Sequence, residues 1–385
     1  MKCVITGGGT GGHTGPAIAV FDQLSCQNKV NVDILYIGSG NGIESVRAKE
    51  LNIPFKSIST GKLRRYFSLK NFIDIFRVLA GVIQSLIILY KFKTDVIFST
   101  GGFVSVPVVI AGWILHKRII IHEQTNSVGL ANRIASRFAT KICITHKASA
   151  RFFPDEKVIH TGIPIRKELL AGDKIRGLSR FGFTDSLPFL FITGGSQGSH
   201  LINMTIKAIL PDILKITQVL HQCGTGTTST SSDEDDLNEA RLKLPVELQK
   251  RYQIVQFIGK ELSDVLVACD LIIGRSGAGT VNEAIALQNP AIFIPLKIAT
   301  RDEQYLNAKI MEDVGAAIII HENDLSAQIL YNSIKQILSP NENFLYLKIM
   351  KGNFKRLLSS DSTGSTDDPN SPDAVNKILD LILSM

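Results

Sequence analysis

The sequence predicts an α/β protein built from two doubly wound, Rossmann-like parallel-sheet domains facing across a cleft. Three observations predict it. Short apolar runs alternate with helical segments from Lys2 to Ile144, break at Thr161-Gly162-Ile163-Pro164, and resume at Phe189; such alternation builds a parallel sheet covered on both faces. A glycine-rich turn follows the first strand of each half. At 385 residues the chain exceeds one ordinary core and suits two.

Composition narrows the class. The chain is 44% apolar and 20% charged, as a globular protein is. Residues 1–165 carry 20 Lys+Arg against 9 Asp+Glu, and the remainder 22 against 26. The first half should therefore favour an anionic partner or surface. The five cysteines are scattered without a CxxC pair, which argues against a disulfide framework or a zinc site. No signal-peptide pattern precedes the first strand, so the cytoplasm is the expected compartment. The longest apolar run, Val78 to Tyr90, reads as too short to span a bilayer.

Lys2 to Thr6 is the first strand. Gly7, Gly9 and Gly12 then satisfy GxGxxG, and a helix is expected from Pro16. A dinucleotide site also wants an acid at the end of the second strand. Val32 to Gly38 ends in Gly-Ser-Gly-Asn instead, with Asp33 at its wrong end. No Lys-Ser/Thr follows the glycines, so this is no Walker loop. What remains is a side-chain-free floor at a helix N-terminus with His13 beside it. An imidazole there suits a general base as well as it suits a structural role.

Gly61 to Lys93 mixes Lys62, Arg64, Arg65, Lys70 and Arg77 with Leu63, Phe67, Phe72, Phe76 and Leu79. Such a helix can lie on an anionic membrane; a core-facing helix with a solvated basic rim is the simpler reading. Asp95 to Ser99, Arg118 to Ile121 and Lys141 to Ile144 are strands. Gly101-Gly102-Phe103-Val104-Ser105 is a second glycine turn, and His122-Glu123-Gln124 ends a strand.

In the second half Phe189 to Thr193 is a strand, Gly194 to Gly198 its turn, and Val219 to Gln222 the next strand. Thr225 to Asp236 is polar and low in complexity, hence a solvated loop. Asp233-Glu234-Asp235 fits the metal-binding DxD pattern, but those surroundings argue against that role. Asp270 to Pro295 reads strand, glycine turn, helix, strand. The amides heading that helix suit a phosphate, and Glu283 one turn on suits a ribose diol. An ordinary βαβ unit is an equally good reading of this stretch alone. A polar tract, Ser359 to Asp373, precedes a final helix, Ala374 to Leu383.

Six motifs occur together in one order: Gly8 to Pro16 (GGTGGHTGP), Gly101 to Pro107 (GGFVSVP), His122 to Arg133 (HEQ…GLANR), Thr161 to Arg166 (TGIPIR), Gly194 to Ser199 (GGSQGS) and Arg275 to Glu283 (RSGAGTVNE), followed by Gln304-x-x-Asn307. On these residues the chain resembles the MurG family, GT-B glycosyltransferases of bacterial peptidoglycan synthesis. The resemblance implies an inverting transfer of GlcNAc from UDP-GlcNAc to the 4-hydroxyl of lipid I, giving lipid II, without cofactor or metal. It implies His13 as base. It gives the donor Thr10, Gly11, Gly12, Arg166, Ser196, Ile258, Ser276, Gly277, Ala278, Gly279, Thr280, Glu283, Gln304 and Asn307. Glu283 would hold the ribose, Ile258 the uracil edge, Ser196 and the amides of Gly277 to Thr280 the diphosphate, and Gln304 and Asn307 the sugar hydroxyls. The N-terminal glycine turns would take the acceptor diphosphate, and the acceptor side would be Gly101, Gly102, Ser105, Glu123, Thr125 and Asn126.

Phe103, Val106, Thr125, Ile163 and Glu303 depart from the family pattern. The implied domains are 1–165, facing acceptor and membrane, and 166–370, binding UDP-GlcNAc, with a helix at about 371–385 packing back onto the first. The implied setting is peripheral, on the cytoplasmic face of the inner membrane, with an anionic membrane surface and other cell-wall synthesis proteins as partners and no nucleic acid. A GT-B transferase using another membrane lipid, and a non-catalytic UDP-sugar-binding subunit, are the alternatives.

Overall fold

A computed structural model describes residues 1–26, 32–61, 69–225, 232–297, 302–340, 343–360 and 373–384. The chain forms two compact units, Met1–Arg166 with Gly364–Met385, and Lys167–Thr363.

The first unit runs β1 (Lys2–Thr6), α1 (Gly11–Cys26), β2 (Asp33–Ser39), α2 (Ile43–Glu50), β3 (Phe55–Ile58), α3 (Leu69–Phe92), β4 (Val96–Ser99), α4 (Ser105–Ile114), β5 (Arg118–Glu123), α5 (Leu130–Ala135), β6 (Lys141–Ile144) and β7 (Val158–His160). The seven strands pair in parallel in the order β3-β2-β1-β4-β5-β6-β7. Side chains alternate across a strand, so β1 serves two cores. Cys3 and Ile5 face a cluster with α1; Val4 faces the opposite one with Val108 and Val109 of α4. Val375, Ile378, Leu379 and Ile382 of the last helix, α16 (Asp373–Leu383), complete the first cluster.

α1 begins at Gly11, not Pro16, which puts Gly11, Gly12 and His13 in its first turn; Pro16 is accommodated inside the helix. The apolar run judged too short lies in the 24-residue α3, whose stretch Asp74–Phe92 is long and apolar enough, by length and composition, to cross a membrane. On this helix Ser85 is buried, and the exposed Gln84 accepts the Ser59 N–H on Oε1 at 2.6 Å. Gly81 packs against Ser59 and Pro107, while Phe76, Leu79, Ile83, Ile87 and Tyr90 are exposed at helical spacing. Lys62, Arg64, Arg65 and Phe67, with the side chains of Lys70 and Phe72, lie outside the described residues, as does most of the Ser359–Asp373 tract.

The second unit runs α6 (Lys167–Leu170), α7 (Lys174–Arg180), β8 (Phe189–Thr193), α8 (His200–Ile213), β9 (Gln218–Gln222), α9 (Asp233–Leu242), α10 (Val246–Gln249), β10 (Tyr252–Val255), α11 (Leu262–Ala268), β11 (Leu271–Gly274), α12 (Ala278–Ala286), β12 (Ala291–Phe293), α13 (Glu303–Glu312), β13 (Ala317–Ile319), α14 (Ala327–Ile337) and α15 (Leu345–Ser360). Its six parallel strands lie in the order β10-β9-β8-β11-β12-β13. Leu190 and Ile192 of β8 pack with Ile202, Ile206 and Ile209 of α8 and Leu330 and Ile334 of α14.

The expected loop through Asp236 is a helix from Asp233. Ser232 caps it by accepting the Asp235 N–H at 3.1 Å, and four acidic residues complement the positive helix end.

Candidate active site

In each sheet the winding reverses between the first strand and one neighbour, and that is where a doubly wound sheet opens for ligands. The reversal falls between β1 and β4 in the first unit and between β8 and β11 in the second. All four glycine turns leave the carboxyl ends of these four strands.

In the first unit the turns after β1 and β4 interlock. Gly8 N–H donates to Gly101 O at 3.3 Å, and a β-carbon on Gly102 would collide with Gly8 O. Beneath them sits a carboxylate the sequence reading missed. Glu44, 1% exposed, accepts from Gly9 N–H at 3.1 Å and from Ser39 N–H and Oγ at 3.0 and 2.6 Å. Its signal was absent because β2 and α2 bring it under the turn across 35 residues.

His13 lies in the first turn of α1, half-buried. Its Nδ1 is 2.8 Å from Thr100 O and 3.1 Å from Gln124 Oε1. Thr10 and Gly11 are exposed at the helix head, and Gly12 is half-buried.

On the acceptor side Gly101 and Gly102 have φ of +91° and +81°, and the buried Ser105 heads α4 with its hydroxyl on Gly102 O at 2.9 Å. Glu123 is buried and serves its own loop: it accepts from Thr125 N–H at 3.0 Å, Thr125 Oγ1 at 2.7 Å and Asn132 Nδ2 at 3.0 Å. Among the described residues Asn126 Oδ1, Asn132 Oδ1 and His122 Nδ1 are buried without a hydrogen-bond partner. Burial pushes His122 down to about 4. Arg166 is half-buried at the unit's end.

In the second unit the turn after β8 has Gly195 and Gly198 at φ +86° and +76°. Ser196 is half-buried in it, and its carbonyl accepts the Thr225 N–H at 3.3 Å. A second missed residue, Gln222, braces this turn. Its Nε2 donates to Thr193 Oγ1 and Gly195 O, both at 3.2 Å, while its Oε1 accepts the Ile258 N–H at 3.1 Å. Arg275 ties the two turns of this unit, reaching Ser199 Oγ at 2.9 Å, Ile294 O at 2.9 Å and Glu322 at 2.6 Å.

α12 starts after Gly277, whose φ of −61° and ψ of 151° mark the cap, and among the described residues no side chain caps the helix. The amides of Ala278, Gly279 and Thr280 therefore head it without an intrahelical acceptor. A β-carbon on Gly277 would meet nothing within 4 Å among the described residues. Glu283 is half-buried on the same helix. Ser276 is buried, its hydroxyl on Gln304 O at 2.8 Å. Gln304 Oε1 accepts the Leu296 N–H at 3.0 Å, and the buried Asn307 donates to Ser276 O at 3.3 Å. These two residues thus fasten α13 to the glycine turn.

The DxD-like segment is otherwise employed. Asp233 is buried, with Asn203 Nδ2 at 2.7 Å and His200 Nδ1 at 2.6 Å; Asp236 pairs with Lys207 at 2.9 Å.

Residues 3–144 match the glycosyltransferase family 28 N-terminal domain, and residues 189–361 match the family 28 C-terminal domain. The chain belongs to glycosyltransferase family 28. Among family 28 relatives, a Bacillus cereus protein named UDP-N-acetylglucosamine–N-acetylmuramyl-(pentapeptide) pyrophosphoryl-undecaprenol N-acetylglucosamine transferase 2 is 41% identical over 344 residues, 89% of this chain and 93% of that one. A Clostridium perfringens transferase of the same name, without the numeral, is 42% identical over 345 residues, 89% and 92% of the two chains. The crystal structure of Acinetobacter baumannii MurG superposes with a TM-score of 0.71 at 26% identity, covering 100% of both chains. A UDP-GlcNAc 2-epimerase from Neisseria meningitidis shares the fold at 13% identity, with a TM-score of 0.67 and 100% of both chains covered. The resemblance to MurG read from the six motifs therefore holds for this family 28 chain.

Proposed function

We propose that the protein is an inverting N-acetylglucosaminyltransferase that moves GlcNAc from UDP-GlcNAc to the 4-hydroxyl of the muramyl sugar in lipid I, forming lipid II. The observation that carries this reading is the head of α12, uncapped by any side chain and open at Gly277 among the described residues, with Glu283 on the same helix. Aligned amides and the helix dipole suit a diphosphate, and a carboxylate suits the ribose diol. Ile258 has its N–H on Gln222, so its carbonyl is the group it would offer uracil N3–H. Ser196 would add a hydroxyl to the diphosphate. The same pattern gives the donor Thr10, Gly11, Gly12 and Arg166, and the sugar Gln304 and Asn307.

For the chemistry, Nδ1–H of His13 faces a carbonyl, which leaves Nε2 to accept a proton. Nε2 takes the acceptor's 4-hydroxyl proton as the oxygen attacks the anomeric carbon. The bond to UDP breaks on the opposite face, inverting the centre. The charge arriving on UDP is met by the α12 amides, with Arg166 as the guanidinium of the set. Asn126, half-buried in the loop after β5, would serve the acceptor side.

The acceptor's diphosphate lies at headgroup level, so the first unit must reach the membrane. The exposed stripe Phe76–Leu79–Ile83–Ile87–Tyr90 supports peripheral docking, and the excess of basic residues in 1–165 supports an anionic cytoplasmic leaflet. The deciding experiment is incubation of purified protein with UDP-GlcNAc and a soluble lipid I analogue. A disaccharide product is expected. Hydrolysis of UDP-GlcNAc alone, or transfer only to diacylglycerol, would overturn the reading.

A further inference from the structure

We infer that Gln124 is a positioning residue that, together with the Thr100 carbonyl, holds His13 in the tautomer with its proton on Nδ1. The inference rests on the reading of His13 as the base. It adds a residue, from the far side of the sheet's reversal, whose function is to keep Nε2 unprotonated and aimed.

The Nδ1 atom faces two oxygens, Thr100 O at 2.8 Å and Gln124 Oε1 at 3.1 Å. A carbonyl oxygen only accepts, so Nδ1 must carry the hydrogen. The orientation of the Gln124 amide is itself determined. Its Nε2 donates to the same Thr100 O at 2.7 Å. Turned the other way, the amide would set oxygen against the Thr100 carbonyl and NH₂ against Nδ1–H, losing both contacts. Gln124 is 1% exposed, so water offers it little alternative. Thr100 is buried too, and its hydroxyl donates to His13 O at 2.7 Å. Backbone and ring of His13 are thus held from one place.

The arrangement does more than orient. When Nε2 takes the acceptor's proton, the ring becomes an imidazolium, and its positive charge lies against two aligned carbonyl dipoles. Gln124 does with a neutral amide what a carboxylate does for histidine in hydrolytic triads. The neutral group stabilises the imidazolium less, which suits a base that must also release its proton each turnover.

The test is long-range ¹H–¹⁵N correlation on histidine-labelled full-length protein, with His13 assigned by the signals lost in His13→Ala, alongside steady-state kinetics. Wild-type His13 should be the Nδ1–H tautomer. Gln124→Leu, which keeps volume but removes one of the two acceptors, should leave Thr100 O to hold Nδ1–H alone and raise the share of the Nε2–H tautomer. The variant's kcat should fall about tenfold, the lower end of what losing the hydrogen-bond partner of a metal-bound histidine costs, with the KM for UDP-GlcNAc unchanged. An Nε2–H tautomer in the wild type overturns the proposal, and that spectrum decides alone if the leucine variant does not fold. Unchanged tautomer and unchanged kcat in Gln124→Leu also overturn it. If the tautomer depends on Gln124 while His13→Ala keeps its kcat, the base assignment fails and the positioning role stands.

Discussion

Gly198 and Gly224 meet backbone to backbone at the floor of the second unit's first glycine turn. A β-carbon on Gly224 would fall on the nitrogen and α-carbon of Gly198, and one on Gly198 would fall on Cys223 O. Both have positive φ, +76° and +86°. Gly224→Ala should push the turn that carries Ser196 out of place. Left-handed φ alone costs an alanine about 1–2 kcal/mol, so the overlap should bring the total above about 2 kcal/mol. Urea unfolding should show that loss, and titration calorimetry should show UDP binding weakened at least tenfold. Normal UDP affinity would mean the turn does not contact the nucleotide.

Glu283→Ala should raise the KM for UDP-GlcNAc. One charge-assisted hydrogen bond to a ribose hydroxyl is worth roughly 1.5–3 kcal/mol, so losing the pair should cost at least about tenfold. A uridine analogue lacking the ribose hydroxyls should discriminate poorly between wild type and variant. Unchanged donor affinity in a folded variant would remove Glu283 from the ribose.

Activity should survive EDTA. Asp233 is already committed to Asn203 and His200, and Asp236 to Lys207, so the acidic segment has little to offer a cation. The positive potential for the leaving UDP comes from amides and a guanidinium in the proposed mechanism. Loss of turnover on chelation, restored by Mg²⁺ or Mn²⁺, would count against it.

Replacing Leu79, Ile83 and Ile87 together with glutamine should weaken vesicle binding. All three are exposed on one stripe of α3. If each contributes even a third of about 2 kcal/mol on burial, the loss is about 2 kcal/mol, more than tenfold. Changing Lys62, Arg64, Arg65 and Lys70 to glutamine should instead reduce the preference for anionic vesicles, most at low salt. Flotation with anionic and neutral vesicles at two salt concentrations reads both. Equal binding by wild type and the triple variant would leave α3 an ordinary surface helix.

Stability should fall between pH 6.5 and 4. Burial pushes His122 down to about 4 and His221 down to about 3, from an ordinary 6.5. In that window the unfolded chain binds protons that the folded one refuses, so stability rises with pH and is lost on acidification. His221 is held neutral between Tyr252 OH at 2.8 Å and Asn203 Oδ1 at 3.0 Å. The urea midpoint should drop from pH 7 to pH 5, and His221→Gln should flatten the drop while lowering the midpoint at pH 7. A midpoint flat over this range would contradict the buried neutral state.

Much of the architecture could be read from residue order alone. Parallel strands buried on both faces leave continuous apolar runs such as Leu271-Ile272-Ile273, and glycine turns mark where each sheet opens. What could not be read depends on register across the sheet. Glu44 meets Gly9 across 35 residues, Gln124 meets His13 across 111, and Gln222 meets Ile258 across 36. No local spacing signals such pairs. Gln124 lies inside the HEQ motif, yet its role appears only once β4 and β5 lie side by side. The helix at Asp233 escapes for a different reason. Its acidic, serine-rich lead reads as solvated loop, although Ser232-x-x-Asp235 is itself a start signal. The contacts of Gln304 and Asn307 with their own loop were equally invisible, because they depend on how α13 returns to Ser276.

The return of α16 to the first unit sets an order of events during synthesis. Val375, Ile378, Leu379 and Ile382 belong to the same core as Cys3 and Ile5. Side chains of this kind are worth roughly 1.5–3 kcal/mol each when buried. Until residues 373–384 have left the ribosome, the half of the chain made first lacks part of its own interior, whereas Lys167–Thr363 can already close around its core. Such a chain folds its middle before it finishes its beginning. A nascent chain stalled before α16 would expose a long apolar seam beside α1, a ready site for chaperone binding or aggregation.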